Sequence, residues 1–219
     1  MEQKRVPRIA IGCYGGRRGL TLAALVRAKL RKDLGEDYHK KVEVYGVGHP
    51  EFSKKGKIPN EHREALEQAA KESPQASYAL EELGNTERRA ISPEEVDEMD
   101  ELYSFDTYIR DKYRSLSRTG GAHIRTISEV TGVHHGYYGV DYDDTEMPLH
   151  YVTDVIVPKK AGKKVSDDAP RSPAKAKWYS LEGRVYEAGT REARVEEARD
   201  LIKLADYITD YIKQRHVKK

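Results

Sequence analysis

Apolar positions change their period several times along the chain, and each change marks an element. Ile9, Ala10 and Ile11 form a short apolar run ending near Cys13, and residues 22–30 (Leu-Ala-Ala-Leu-Val-Arg-Ala-Lys-Leu) then follow helical spacing. A strand, a tight glycine turn and a helix are predicted, with Gly35 as the natural stop of that helix. Val42-Glu-Val-Tyr-Gly-Val47-Gly48 alternates as a second strand. Strand, helix and strand in about forty residues make a βαβ unit, with parallel strands and a right-handed crossover. Ligands of such sheets sit beyond the carboxyl ends of the strands, which is where Cys13 falls.

Beyond the basic loop His49-Pro50-Glu-Phe-Ser-Lys-Lys-Gly, Pro59 opens a helix to about residue 72, and a second helix is predicted over 78–83, closed by Gly84. Ser92-Pro93-Glu94-Glu95 has the form of a capping box with proline at the first helical position, so a short helix to about 99 follows. Leu102-Tyr-Ser-Phe105 reads as a third strand, with Asp106 and Thr107 as caps for a helix over 108–116. Residues 125–130 fit a strand or a short helix, since periodicity over so few positions does not choose. From Val133 the texture changes to aromatic, glycine-rich and acidic (Val-His-His-Gly-Tyr-Tyr-Gly-Val-Asp-Tyr-Asp-Asp), and 151–157 reads as a strand. A loop is predicted over 159–177, then an amphipathic helix over 191–214 whose Val195, Ala198, Leu201, Ile202, Ala205, Ile208 and Ile212 face the sheet. No internal repeat is found, and residues 216–219 are expected to be a solvated tail.

Composition narrows the classes. Charged residues make up 35% of the 219 positions against 37% hydrophobic ones, so much of the surface must be charged helix faces or polar loops. The net charge of +2 does not point to nucleic acid. A single cysteine excludes a disulfide framework and a multi-cysteine zinc cluster, and fits a reducing compartment. With no signal-peptide core and no apolar run near the ~20 residues needed to span a bilayer, a cytoplasmic protein without membrane association is expected.

The candidate chemistry lies in Cys13-Tyr14-Gly15-Gly16-Arg17-Arg18-Gly19. Glycines let backbone N–H groups converge, a helix N-terminus adds partial positive charge, and guanidiniums fork onto phosphate-like oxygens. Tyr14, Gly15, Gly16, Arg17, Arg18 and Gly19 are therefore candidate phosphate-binding residues, and Cys13 a thiol whose pKa should fall from about 8.5 toward neutrality. The plainer reading is a buried apolar cysteine before an ordinary turn. His134 and His135 invite a metal reading, but adjacent histidines on a strand point to opposite faces; no metal or cofactor is expected. Tyr137, Tyr138 and Tyr142 suit either an aromatic substrate or the packing of a hairpin. The lysines over 159–164 suit an anionic partner or plain solvation.

These features resemble the low-molecular-weight protein tyrosine phosphatase family and its arsenate reductase relatives. The resemblance is carried by the N-terminal strand ending in Cys13, the glycine loop into a helix with Ala23 and Ala24, Tyr45-Gly-Val-Gly48, Ile91-Ser-Pro-Glu-Glu-Val96, Met99-Asp-Glu-Leu-Tyr-Ser-Phe-Asp106 and the closing helix, over residues 6–131 and 178–214. It implies a three-layer α/β/α sandwich on a four-stranded parallel sheet, here one domain over 1–219 with an inserted loop or hairpin region at about 133–177. It also implies hydrolysis of phosphate monoesters, protein phosphotyrosine or a small aryl phosphate, through a phosphocysteine, with a phosphorylated protein or a small phosphomonoester as partner. The family loop reads C-x-G-N-x-x-R-S/T; Cys13 and Gly15 match, whereas Gly16, Gly19 and Leu20 stand where Asn, Arg and Ser/Thr belong. Arg18 comes one position early, and Arg18 or Arg17 would take the arginine's role; Thr21 lies beyond the hydroxyl position. For the general acid, an aspartate before proline in the family, Asp168 of Asp167-Asp168-Ala-Pro170 fits best by position, Asp154 second, and neither adjoins proline. Two classes stay open: a cysteine-dependent phosphatase, or an inactive module binding a phosphorylated or anionic partner. Arsenate reduction by a cysteine relay lacks its further cysteines.

Overall fold

The computed structural model describes residues 5–53, 55–133, 137–140, 176–182, 184–187 and 189–217. The apolar run after Arg8 becomes β1 (Arg8–Cys13), which lies between β2 (Glu43–Gly48) and β3 (Glu101–Ser104), with β4 (Ile124–Thr126) beyond β3. All three pairings are parallel, and Cys13 stands level with Gly48 at the carboxyl edge. A strand buried on both faces needs a nearly unbroken apolar sequence. Ile9, Ile11 and Cys13 turn to one face, where they meet α1 (Arg17–Leu34), α2 (Asn60–Ala70), α3 (Pro74–Asn85) and α7 (Arg191–Ile212). Ala10 turns to the other, joining Val47, Leu102, Val96 of α4 (Pro93–Glu98) and Ile109 and Tyr113 of α5 (Thr107–Leu116). The result is the expected three-layer α/β/α sandwich on a four-stranded parallel sheet.

Local signals explain the helix starts. Ser92 accepts from the Glu95 N–H at 3.2 Å while Glu95 accepts from the Ser92 N–H at 2.9 Å, the capping box read in the sequence. Asp106 caps α5 through the Ile109 N–H at 2.8 Å. The segment over 125–130 is both of its alternatives: β4 ends at Thr126, and α6 (Ile127–Thr131) begins at once. Thr126 and Glu129 form a second capping box that fixes this abrupt switch. A one-turn 3-10 helix, Glu36–Lys40, fills the chain between α1 and β2.

Two further expectations are corrected. The loop predicted to run to 177 gives way at Ala176 to a strand: β5 (Tyr137–Val140), β6 (Ala176–Tyr179) and β7 (Val185–Glu187) form a separate antiparallel sheet. The tail is not solvated as far as Val217. After α7 the chain makes a π-helical turn, Lys213–Val217, in which Arg215 pairs with Glu101, His216 Nε2 lies 3.6 Å from the same carboxylate and Val217 packs on the core. The cause is Glu101 itself, a carboxylate only 3% exposed at the start of β3 that must gather cations and donors. Arg125 at 2.8 Å and the Tyr103 hydroxyl complete its set. His134, His135, Tyr142, Asp154, Asp167, Asp168, the strand predicted over 151–157 and the lysines over 159–164 lie outside the described residues.

Candidate active site

Tyr14, Gly15 and Gly16 alone join β1 to α1. Gly16 takes φ 80°, a left-handed conformation that glycine adopts without a side-chain penalty, and the helix starts directly after it. Arg17, Arg18 and Gly19 therefore occupy the first helical turn, where the sequence pattern had placed them in the loop. The first four N–H groups of a helix have no intrahelical acceptor. That of Gly19 donates to Cys13 Sγ at 3.2 Å, so the sulfur sits against the positive end of α1. Cys13 itself is 3% exposed.

Neighbouring elements hold this corner. The His49 N–H, just past β2, donates to the carbonyls of Cys13 at 3.3 Å and Tyr14 at 3.2 Å. From α5 the Tyr113 hydroxyl donates to the Cys13 carbonyl at 3.1 Å; burial, then Cys13 and Asp106, push that phenol well above its usual pKa, so it keeps its proton. Tyr14 stacks on Phe52 with ring centroids 3.6 Å apart, forming an aromatic wall beside the loop.

The two arginines are not alike. Arg17 forks onto Glu197 of α7, at 2.9 and 3.2 Å, and donates to His62 Nδ1 of α2 at 2.7 Å. Arg18, 4% exposed, has its Nε 3.9 Å from Glu197 and lies over the Phe105 ring at 4.8 Å. Burial opposes the charge on Glu197, but Arg17, then Arg18 and His62, outweigh it and hold its pKa below the usual carboxylate value. Burial, then Arg17, lowers the pKa of His62 to about 4. His62 is thus neutral, and because Nδ1 accepts from Arg17 its proton resides on Nε2.

This gives a pH dependence of stability. Below pH 6.5 the unfolded chain protonates His62 while the folded chain resists until about 4. Stability is therefore lost as pH falls through that window, by at most about 3 kcal/mol. His62→Gln, which still offers Arg17 an acceptor, is expected to flatten urea-melt stability between pH 6.5 and 4.5. Equal slopes for the two proteins would remove the histidine from the account.

The structure thus gathers the predicted residues Cys13, Tyr14, Gly15, Gly16, Arg17, Arg18 and Gly19 at the carboxyl edge of the sheet. Thr21 does not join them: its hydroxyl donates to the Arg17 carbonyl at 3.0 Å within its own helix. Sequence reasoning missed His49, Phe52, His62, Tyr113 and Glu197. One signal was available for Glu197, which stands on the buried stripe of Ala193, Leu201, Leu204 and Ile208, a charged residue among apolar ones.

The fold defined by this sheet order, with the cysteine at the end of β1, is that of low molecular weight protein tyrosine phosphatases. A YwlE mutant from Bacillus subtilis superposes with a TM-score of 0.57 at 16% identity, covering 94% of this chain and 99% of its own. The low molecular weight protein tyrosine phosphatase of T. tengcongensis gives 0.53 at 17% identity, over 93% and 98%. The YwlE arginine phosphatase of Geobacillus stearothermophilus gives 0.52 at 15% identity, over 95% and 94%. No protein-family profile and no curated protein sequence matches the chain. Among the described residues no helix is long and apolar enough to cross a membrane, and no cluster of three or more His, Cys, Asp or Glu is arranged to hold a metal ion.

Proposed function

We propose that this chain is a cysteine-dependent phosphatase that hydrolyses phosphate monoesters through a phosphocysteine on Cys13. The observation that carries the reading is the hydrogen bond from the Gly19 N–H to Cys13 Sγ, which sets the sulfur at the N-terminus of α1. A negative charge on that sulfur, and on a phosphoryl group beside it, is stabilised by the helix amides and dipole. The fold supports it too: one structure sharing it is a YwlE arginine phosphatase in which serine replaces a cysteine and the active-site serine is phosphorylated.

In this reading the Cys13 thiolate attacks phosphorus, the phosphorus–oxygen bond to the leaving group breaks, and first-turn amides with Arg18 bind the equatorial oxygens. Asp168 gives its proton to the leaving oxygen, then takes one from the water that cleaves the phosphocysteine, releasing inorganic phosphate and restoring the thiolate. Residues 1–219 act as one domain with an insertion over 133–177, in the cytoplasm. The substrate is a phosphorylated protein or a small aryl phosphate. Since relatives by fold are named both tyrosine and arginine phosphatases, phosphoarginine should be assayed beside phosphotyrosine.

Alkylation by iodoacetamide across pH tests the nucleophile. The midpoint for Cys13 is expected clearly below the ~8.5 of a free thiol. A midpoint at or above that value would leave only a buried cysteine. The second reading, an inactive module that binds a phosphorylated or anionic partner, draws on the fork between Arg17 and Glu197, which engages one of the two arginines in the first turn of α1. It predicts phosphate binding without cysteine-dependent turnover.

A further inference from the structure

We propose that Tyr113 is a positioning residue, whose hydroxyl fixes the Cys13 carbonyl and so holds Cys13 Sγ in line with the Gly19 N–H. The inference rests on the phosphatase reading of the site and names a residue that readies its nucleophile. Cys13 is gripped at two points: its carbonyl takes the Tyr113 hydroxyl at 3.1 Å, and its sulfur takes the Gly19 N–H at 3.2 Å. The His49 N–H also reaches the carbonyl, at 3.3 Å, but shares itself with the Tyr14 carbonyl at 3.2 Å. A shared donor is the weaker clamp, so of these two bonds to the carbonyl the phenol supplies the firmer.

The grip acts through the backbone. A trans peptide is planar, so fixing the Cys13 carbonyl fixes the torsion at which the chain leaves β1. Only Tyr14, Gly15 and Gly16 then lead to α1, and two glycines are too pliant to restore the line between Sγ and the first turn once that torsion drifts. Packing alone does not call for the hydroxyl. The ring is fully buried and lies where a side chain on residue 12 would stand, for a Cβ on Gly12 would come within 2.5 Å of it. A phenylalanine would fill the same space without burying an oxygen, whose cost here is offset at the carbonyl of the nucleophile. Burial, then the negative charges of Cys13 and Asp106, raise the pKa of the phenol, and burial lowers that of His49, whose ring stands 5.4 Å away. Both are therefore neutral at pH 7, and the hydroxyl keeps its hydrogen for the carbonyl.

The test is Tyr113→Phe, read by the pH dependence of Cys13 alkylation with iodoacetamide and of kcat/KM for p-nitrophenyl phosphate. The variant keeps the ring and loses one hydrogen bond, so it should melt within about 5 °C of wild type. Its alkylation midpoint is expected to rise by about half a pH unit or more, which slows alkylation about threefold at a pH below both midpoints, and the acid limb of kcat/KM should move up with it. Tyr113→Leu should show the same rise with a larger loss of melting temperature, because the hydroxyl and not the ring sets the midpoint. The charges by the first turn of α1, Arg17, Arg18 and Glu197, are the same in all three proteins. The proposal is overturned if Tyr113→Phe keeps the wild-type midpoint and limb, or if Tyr113→Leu alone shifts them. A Tyr113→Phe protein that fails to fold, as judged by circular dichroism, would overturn it too, by making the hydroxyl a part of the fold and nothing more. A shifted midpoint in a protein without cysteine-dependent turnover would refute the phosphatase and leave the role of Tyr113 standing, whereas turnover that Tyr113→Phe leaves intact at every pH would do the reverse.

Discussion

Exchanging Cys13 for serine is expected to bring hydrolysis of p-nitrophenyl phosphate down to background, a fall of about 10³-fold or more. The thiol is the nucleophile this reading places at the end of β1, and its sulfur already accepts the Gly19 N–H. A serine hydroxyl in the same place keeps its proton, and the described neighbours include no general base that takes it. His62 is tied to Arg17 through Nδ1, and His49 Nδ1 accepts the Glu51 N–H at 3.2 Å. The leaving group separates this loss from a general one. Asp168→Asn should slow phosphotyrosine far more than the nitrophenyl ester, because a phenolate of pKa about 10 needs a proton on departure and a nitrophenolate needs little. Turnover that persists in Cys13→Ser would end the phosphocysteine mechanism.

The parallel sheet was legible because its signals are local. Ile9 to Cys13, Val42 to Gly48 and Leu102 to Phe105 are short apolar runs, and glycines or caps mark their ends. Strand limits shifted by a residue, as at Glu101–Ser104, where the buried glutamate opens the strand. The pairing that decides the site was not legible. Arg17 and Glu197 are 180 positions apart, and only the docking of α7 on α1 brings them together. The same holds for Glu101, whose partners Arg125, Arg215 and His216 come from β4 and the turn after α7. A buried charge on an apolar stripe announces that a partner exists; sequence spacing does not name it. The helix start at Arg17 was hidden for a different reason. Helical periodicity is visible only once apolar residues recur, and the first turn of α1 is Arg-Arg-Gly, polar and glycine throughout.

That first turn leads to the other large expected effect: Gly46→Ala should destabilise the fold by about 3 kcal/mol, the upper part of the range for overpacking. A Cβ on Gly46 would lie 2.3 Å from Leu20 Cα and 2.8 Å from the Gly19 carbonyl oxygen, both backbone atoms that cannot swing aside. The same close approach governs Gly19, where a Cβ would meet the carbonyl oxygens of Ile11 at 2.5 Å and Val47 at 2.9 Å. Alanine gains about 1 kcal/mol over glycine in a helix interior, less in a first turn, so the clash outweighs it. For a chain of this size the loss should lower the melting temperature by roughly 6–12 °C. Gly15→Ala is the control, with no atom within 4 Å of its Cβ, and should melt within about 2 °C of wild type. The consequence for function is specific. Gly19 is the position at which the resembling family carries its arginine, and here the helix lies so close on β1 and β2 that no side chain fits. Gly19→Arg should therefore not restore a family-like loop; it should unfold the protein or push α1 off the sheet, carrying the Gly19 N–H away from Cys13 Sγ. Urea melts and the alkylation midpoint of Cys13 report the two outcomes, and a Gly19→Arg protein that melts like wild type would show that the early Arg18 is not forced by packing.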